Sequence, residues 1–192
     1  MKKLPVLKSA FTFIEVIVVI AVLAVVLPAI FSIVFVIVKQ QAKIYKLSEV
    51  KRQGDFAVSS MTSLIRNYAA ELYSDALVNK TCDTAGSSDT LPYFQDKYNS
   101  ASYFHYVLSN NAIASNSSVA NVSGNLTNAN VRIEQLNGEE IVQCTKSNAY
   151  SNPVILIQFK ICYNDGSPSC SAVPAVDSAS LDYTTQVSMR VF

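Results

Sequence analysis

Phe11-Thr12-Phe13-Ile14-Glu15-Val16-Ile17-Val18-Val19-Ile20 opens an apolar run that continues to Val38, and its reading decides the fold. Between Phe11 and Val38 only Thr12, Glu15, Pro28 and Ser32 break a series of Val, Ile, Leu, Ala and Phe. As a helix, Val16 to Val38 would span about 35 Å, enough for a hydrocarbon core of about 30 Å. A buried helix of a soluble protein seldom stays apolar on every face for so long. The stretch therefore predicts a membrane-spanning α-helix.

The helical pattern continues past the apolar run. Ile44, Leu47, Val58, Met61, Leu64, Ile65, Tyr68 and Leu72 recur at three- and four-residue spacing, and Lys43, Lys46, Arg52, Asp55 and Arg66 take the opposite face. This predicts one helix from about Phe11 to about Tyr73, amphipathic in its second half, with the apolar stripe packed on the domain that follows. Pro28 removes a backbone hydrogen bond and predicts a kink or a locally melted turn. Gly54 is a second weak point, costing about 1 kcal/mol relative to Ala.

The residues ahead of the run are basic: Lys2, Lys3 and Lys8. A secretory signal peptide would carry a short apolar core and a small-residue cleavage site after it. Here the apolar run is too long, and the small pair Ser9-Ala10 precedes it. A cut at that pair would leave the membrane helix on the mature protein. Glu15 is the costly residue, since a carboxylate near the middle of a membrane helix is unfavourable by about 2.5–3.5 kcal/mol. A local account exists: Thr12-x-x-Glu15 forms a capping box in the first helical turn, where the helix dipole favours negative charge.

Taken together, Lys8-Ser9-Ala10-Phe11-Thr12-Phe13-Ile14-Glu15 and the run behind it resemble the cleavage and methylation motif of type IV prepilins and type II secretion pseudopilins. The resemblance covers about the first thirty residues. It implies that a prepilin peptidase cuts between Ala10 and Phe11 on the cytoplasmic side and methylates Phe11. It also implies that Glu15, at the fifth mature position, pairs with the Phe11 amine of a neighbouring subunit. Ala10 departs from the Gly usual before the cut. Both charges would be poorly solvated among packed apolar helices, so pairing them relieves two penalties and fixes an axial step. The partners implied are prepilin peptidase, other pilin or pseudopilin subunits, an inner-membrane assembly platform and membrane lipid. The expected division is a cleaved leader at 1–10, a membrane and filament-core half-helix at 11–38, an amphipathic half at 39–75 and an extracytoplasmic α+β domain at 76–192. A plain count of positive charge points the other way, because Lys39, Lys43, Lys46, Lys51 and Arg52 follow the run. The cleavage motif and the cysteines outweigh it here.

The remainder, about 115 residues, is within the size of a self-sufficient domain. It is rich in Tyr, Ser and Asn and holds all four cysteines: Cys82, Cys144, Cys162 and Cys170. No CxxC pair occurs, and His105 is the only histidine, so zinc spacing is absent. An even number of cysteines behind a membrane anchor predicts disulfides in an oxidising compartment; the plainer alternative is buried, unpaired thiols. Cys162 and Cys170 bracket the turn-rich Asn164-Asp165-Gly166-Ser167-Pro168, and a bridge there leaves Cys82 for Cys144.

Tyr73 to Pro92 reads as loop, Tyr93 to Leu108 as strand or short helix, and Ser109 to Asn130 as a solvated loop. Val131, Ile133 and Ile141 flank Asn137-Gly138, a hairpin signal. Pro153 to Tyr163 sets Ile155, Ile157, Phe159 and Ile161 on one face and a partly apolar row on the other, as in a central strand. Tyr183 to Phe192 alternates, with Val187, Met189 and Val191 inward and Gln186, Ser188 and Arg190 outward. The expected fold is α+β and pilin-like: a long N-terminal helix packed on a C-terminal antiparallel sheet. Thr184-Thr185-Gln186-Val187 loosely resembles the closing strand of J-type pseudopilins and related minor pilins.

The chain carries a net charge of +1, and its last domain has no dense Lys/Arg cluster, so no nucleic-acid partner is expected. GxGxxG, P-loop, HExxH and GxSxG motifs are missing. His105 among aromatic neighbours reads as a packed or surface histidine. Asn164, Asp165, Asp177 and Asp182 match no calcium loop and read as solvated turns. Asn79, Asn116, Asn121 and Asn125 head N-x-[ST] triplets, which arise readily in such a composition. No cofactor, metal or catalytic residue is expected. The expectation is a non-enzymatic minor pilin or pseudopilin, single-pass in the inner membrane, with its domain periplasmic or extracellular. The alternative is an uncleaved, signal-anchored protein whose domain binds an extracellular ligand.

Overall fold

The computed structural model describes residues 12–118, 123–171 and 179–189. The helix found among these residues, α1 (Phe13–Tyr68), continues through Pro28 without interruption, so no melted turn breaks it there. Internal contacts divide the chain into two units, Met1–Ala42 and Lys43–Phe192.

In the first unit, the large apolar side chains from Phe13 to Val38 are 44–82% exposed. The stretch has the length and composition of a membrane span. An exposed apolar surface of this extent marks a site of contact with a membrane or with another protein.

In the second unit, α1 buries Val50, Gly54, Ala57, Met61 and Ile65, one step of three or four residues after another. Two antiparallel sheets supply the rest of the core. The first takes the order β1-β3-β4-β5-β6, with β1 (Ala69–Tyr73), β3 (Tyr93–Asp96), β4 (Tyr103–Ser109), β5 (Ala112–Ser117) and β6 (Ser123–Asn125). The second runs β10-β9-β8-β2, with β2 (Ser88–Thr90), β8 (Val142–Thr145), β9 (Val154–Tyr163) and β10 (Ser180–Ser188). In the second sheet β7 (Val131–Glu134) also pairs with β9. The fold is therefore α+β, a long helix and an antiparallel sheet domain, as the sequence pattern predicts.

Strand β9 is central, as its two apolar faces require: β10 lies along one side, and β8 and β7 follow one another along the other. Ile155, Ile157, Phe159 and Ile161 are fully buried, and so are Val187 and, almost completely, Met189 beside them. Gln186 and Ser188 face outward. Arg190 and Val191 lie outside the described residues.

Four expectations need correction. The helix stops at Tyr68 instead of about Tyr73. Ala69 and Leu72 are spaced for a helix, but they pair with Asp96 and Phe94 of β3, and the Lys97 N–H caps the Tyr68 carbonyl at 2.7 Å. Strand pairing to an aromatic core strand thus overrides local periodicity. The stretch from Tyr73 to Pro92 contains β2. The stretch from Ser109 to Asn130 is not a loop throughout, because β5 and β6 fall within it. Asn110 and Asn111, at φ of 50° and 60°, make the two-residue turn between Ser109 and Ala112; Asn tolerates this left-handed conformation better than most residues. Finally, Asn137-Gly138 does form a tight turn, closed by a bridge between Leu136 and Glu139. The strands on either side of it do not pair with each other. Both pair with β9 and lie end to end.

Candidate functional site

Thr12 and Glu15, the predicted capping pair, meet in the first turn of α1. The Glu15 and Val16 N–H groups donate to the Thr12 carbonyl at 3.1 and 3.3 Å, and the Thr12 N–H donates to the Glu15 carboxylate at 3.4 Å. This is the return half of a capping box, which satisfies one of the orphan donors at a helix start. Glu15 stays exposed, and it is the only acid in the apolar run. The carboxylate is thus held at the helix end by one weak bond and is open to a stronger donor. Ala10 and Phe11, the predicted cut and methylation site, lie outside the described residues. Pro28 sits within the exposed apolar surface, far along the same helix.

The four cysteines form two disulfides, Cys82–Cys144 and Cys162–Cys170. The first ties the segment after β1 to β8 and is buried at both ends. The second closes a sequence separation of 8 at the end of β9. This is the pairing that the turn-rich spacer between Cys162 and Cys170 suggests. Such bridges belong to an oxidising compartment.

His105 lies between Tyr93 and Tyr103, with ring centroids 4.4 and 6.2 Å away. Burial lowers its pKa, which favours the neutral ring. Its Nε2 stands 3.5 Å from the Asn116 amide. Asp165 caps its own turn by accepting the Ser167 N–H at 3.1 Å, and Asp182 pairs with Lys160 at 3.7 Å. Among the described residues, no three His, Cys, Asp or Glu side chains converge as metal ligands. Asp177 and Asn121 lie outside those residues.

Sequence reasoning missed a polar seam along the margin of the packed side of α1. Tyr183 of β10 rests on Gly54 and places its hydroxyl 2.8 Å from the Asp55 carboxylate. Nearly two turns earlier, Glu49 accepts from Asn128 at 3.0 Å and from Arg52 at 2.8 Å. The Asn128 bond first, then Arg52, holds the Glu49 carboxyl below its ordinary range. One signal for this seam was available: Gly54 falls on the apolar stripe, at four-residue spacing from Val50, where a glycine implies close approach by another element.

No protein-family model, curated protein or solved structure matches the chain.

Proposed function

We propose that this chain is a non-enzymatic filament subunit of the minor pilin or pseudopilin kind. It is inserted in the inner membrane by α1 and cut between Ala10 and Phe11 by a prepilin peptidase. The new amine at Phe11 is methylated, and the subunit is then drawn by an assembly platform into a filament of related subunits.

The observation that carries this reading is the exposed apolar surface of Phe13 to Val38 with one acid, Glu15, at its start. Lipid can cover that surface before assembly, and neighbouring helices of the same kind can cover it afterwards. In the second environment a carboxylate without a cation is costly. The Phe11 amine of an adjoining subunit is a fitting partner, because the capping bond from Thr12 is weak enough to be replaced. The disulfide-bonded domain suits the extracytoplasmic side of the membrane.

Two measurements test the reading. Mass spectrometry of the protein purified from cells with an active prepilin peptidase should find an N-terminus at methylated Phe11. An intact Met1–Ala10 segment would instead favour a signal-anchored binding protein. Glu15→Ala should be processed normally yet recovered in the membrane and not in sheared filaments. Wild-type incorporation of that variant would sink the pairing of Glu15 with Phe11.

A further inference from the structure

Among the described residues strand β10 is the outer strand of its sheet, and the one charged side chain on it, Asp182, is paired with Lys160 of β9. Its nine residues pair with β9 in one unbroken register. The strand contains no Pro, Lys or Arg, the residues that commonly blunt an exposed edge, and it has no bulge. Two hydrogen bonds fix which backbone groups the β9 ladder uses. The Tyr163 N–H donates to the Ala179 carbonyl at 3.0 Å, and the Met189 N–H donates to the Pro153 carbonyl at 3.1 Å. Bonded and non-bonded pairs alternate in an antiparallel ladder. Leu181, Tyr183, Thr185 and Val187 therefore bond to β9, and Asp182, Thr184, Gln186 and Ser188 turn their N–H and C=O groups to the open edge. Among the described residues no strand takes up those groups.

Beside this edge lies an open groove of about 560 Å³, lined by Tyr183 and by Val58, Ser59, Thr62 and Ser63 of α1. Tyr183 meets α1 at Lys51 and Asp55, and Ser188 shares a second hollow with Arg66, Asn67 and Tyr68. Strand and helix therefore run side by side in the same direction. From Asp55 to Arg66 the helix advances about 16 Å, and from Tyr183 to Ser188 the strand advances about 17 Å. The groove has the length of a short strand, and its small hydroxyl side chains leave room for side chains from an occupant.

The charge along the groove is uneven. At one end the Asp55 carboxylate is engaged by Tyr183. At the other, Arg66 lines the second hollow together with Tyr98 and Asn152, and among the described residues no acid lines it.

We propose that β10 accepts an extended segment of a different polypeptide as an added antiparallel strand, with an acidic residue at the segment's N-terminal end set against Arg66. Every pairing in this sheet is antiparallel. An antiparallel newcomer begins opposite Ser188, at the cationic end. Main-chain bonds to Asp182, Thr184, Gln186 and Ser188 supply affinity, and the charged end sets direction, as in other recognition by strand addition. This inference stands whether or not the helix enters a filament.

The test uses the full chain in detergent micelles. The probe is an acetylated hexapeptide amide, Glu-Val-Thr-Val-Thr-Val, with a version N-methylated at alternate residues as its control. The unmethylated peptide should slow amide hydrogen exchange at Asp182, Thr184 and Gln186, and the methylated one should not. Arg66→Glu should weaken binding by about two- to five-fold, the range of an exposed ion pair, and a Lys-led peptide should regain that loss. Thr184→Pro removes an edge N–H without touching the β9 ladder, and Ser63→Trp fills the groove from an exposed helix position. Each should abolish the slowing while the circular dichroism stays unchanged. Absence of slowing by the first peptide, equal slowing by both, or indifference to Ser63→Trp would overturn the proposal. Self-association of the chain that Thr184→Pro removes and the peptide blocks would assign the edge to a second copy and overturn the heterologous partner.

Discussion

The ring of Tyr183 lies on the bare backbone of Gly54, closer than any side chain at that position would allow. Two further contacts hold the ring. It stacks on Phe159 with centroids 5.3 Å apart, and its hydroxyl lies 2.8 Å from the Asp55 carboxylate and 3.2 Å from the Lys51 carbonyl. Burial first, and then Asp55, raises the phenol pKa, so the hydroxyl remains a donor throughout the ordinary pH range. Tyr183→Phe removes that donor and leaves the ring in place. It should cost about 0.5–1.5 kcal/mol in urea unfolding, the worth of one hydrogen bond. An unchanged midpoint would mean that water replaces the bond without loss.

Gly54→Ala sets two effects against each other. Helix propensity favours Ala by about 1 kcal/mol. The added Cβ, however, would meet the Tyr183 ring, which cannot swing aside without losing Phe159 and Asp55. Overpacking of this kind costs about 1–3 kcal/mol, so net destabilisation is expected. In the background of Tyr183→Ala the sign should reverse, and Gly54→Ala should then stabilise. Thermal melts of the four proteins of this cycle check the coupling. Additive effects would show that the contact carries no energy.

The long helix and the central strand were legible in the sequence because each carries its own period. Phe13 to Val38 is apolar on all faces, and Ile155, Ile157, Phe159 and Ile161 alternate with partly apolar neighbours. The end of the helix was not legible. Ala69 and Leu72 keep the helical spacing, and only their pairing with Asp96 and Phe94, more than twenty positions away and across a shift in register, makes the segment a strand. The Asn110-Asn111 turn was hidden for another reason: the Asn/Ser-rich composition around it masks the alternation of the hairpin's second strand. Of the candidate site, Thr12 and Glu15 were readable from capping chemistry alone. The Tyr183–Asp55 and Asn128–Glu49 bonds were not, because they join residues 128 and 79 positions apart.

The two disulfides should contribute unequally. Cys82–Cys144 closes a separation of 62 residues and is buried in the core, and Cys162–Cys170 closes one of 8. Loop entropy lost by the unfolded chain grows with loop length. Replacing both Cys82 and Cys144 by Ala should cost about 2–4 kcal/mol or more, with added loss from the space left in the core. The matching change at Cys162 and Cys170 should cost less and act mainly on the Asn164–Pro168 turn. Denaturant midpoints of the two double variants decide. The reverse order would show that strain or local packing, not loop length, governs the shorter bridge.

Acid should weaken the second unit through two carboxylates. Glu49 is held below its ordinary value near 4.5 by Asn128, then Arg52; Glu71 is held below it by Lys80 at 2.6 Å, then the Tyr73 hydroxyl at 2.9 Å. In both cases the unfolded chain takes up a proton at a higher pH than the folded one. The stabilisation is therefore complete above about pH 4.5 and is lost as pH falls through the depressed folded values. Both groups are near the surface, so the effect should be modest and should shrink in high salt. Glu49→Gln keeps an acceptor for Asn128 but cannot titrate. Its urea midpoint should start lower at about pH 7 and then fall less steeply below about pH 4.5 than that of the wild type. Asn128→Ala should flatten the acid limb in the same way, because it removes the largest cause of the Glu49 shift. If both variants kept the wild-type slope between about pH 4.5 and 3, Glu49 would have the same proton affinity folded and unfolded, and the seam between α1 and Asn128 would contribute nothing to the acid response.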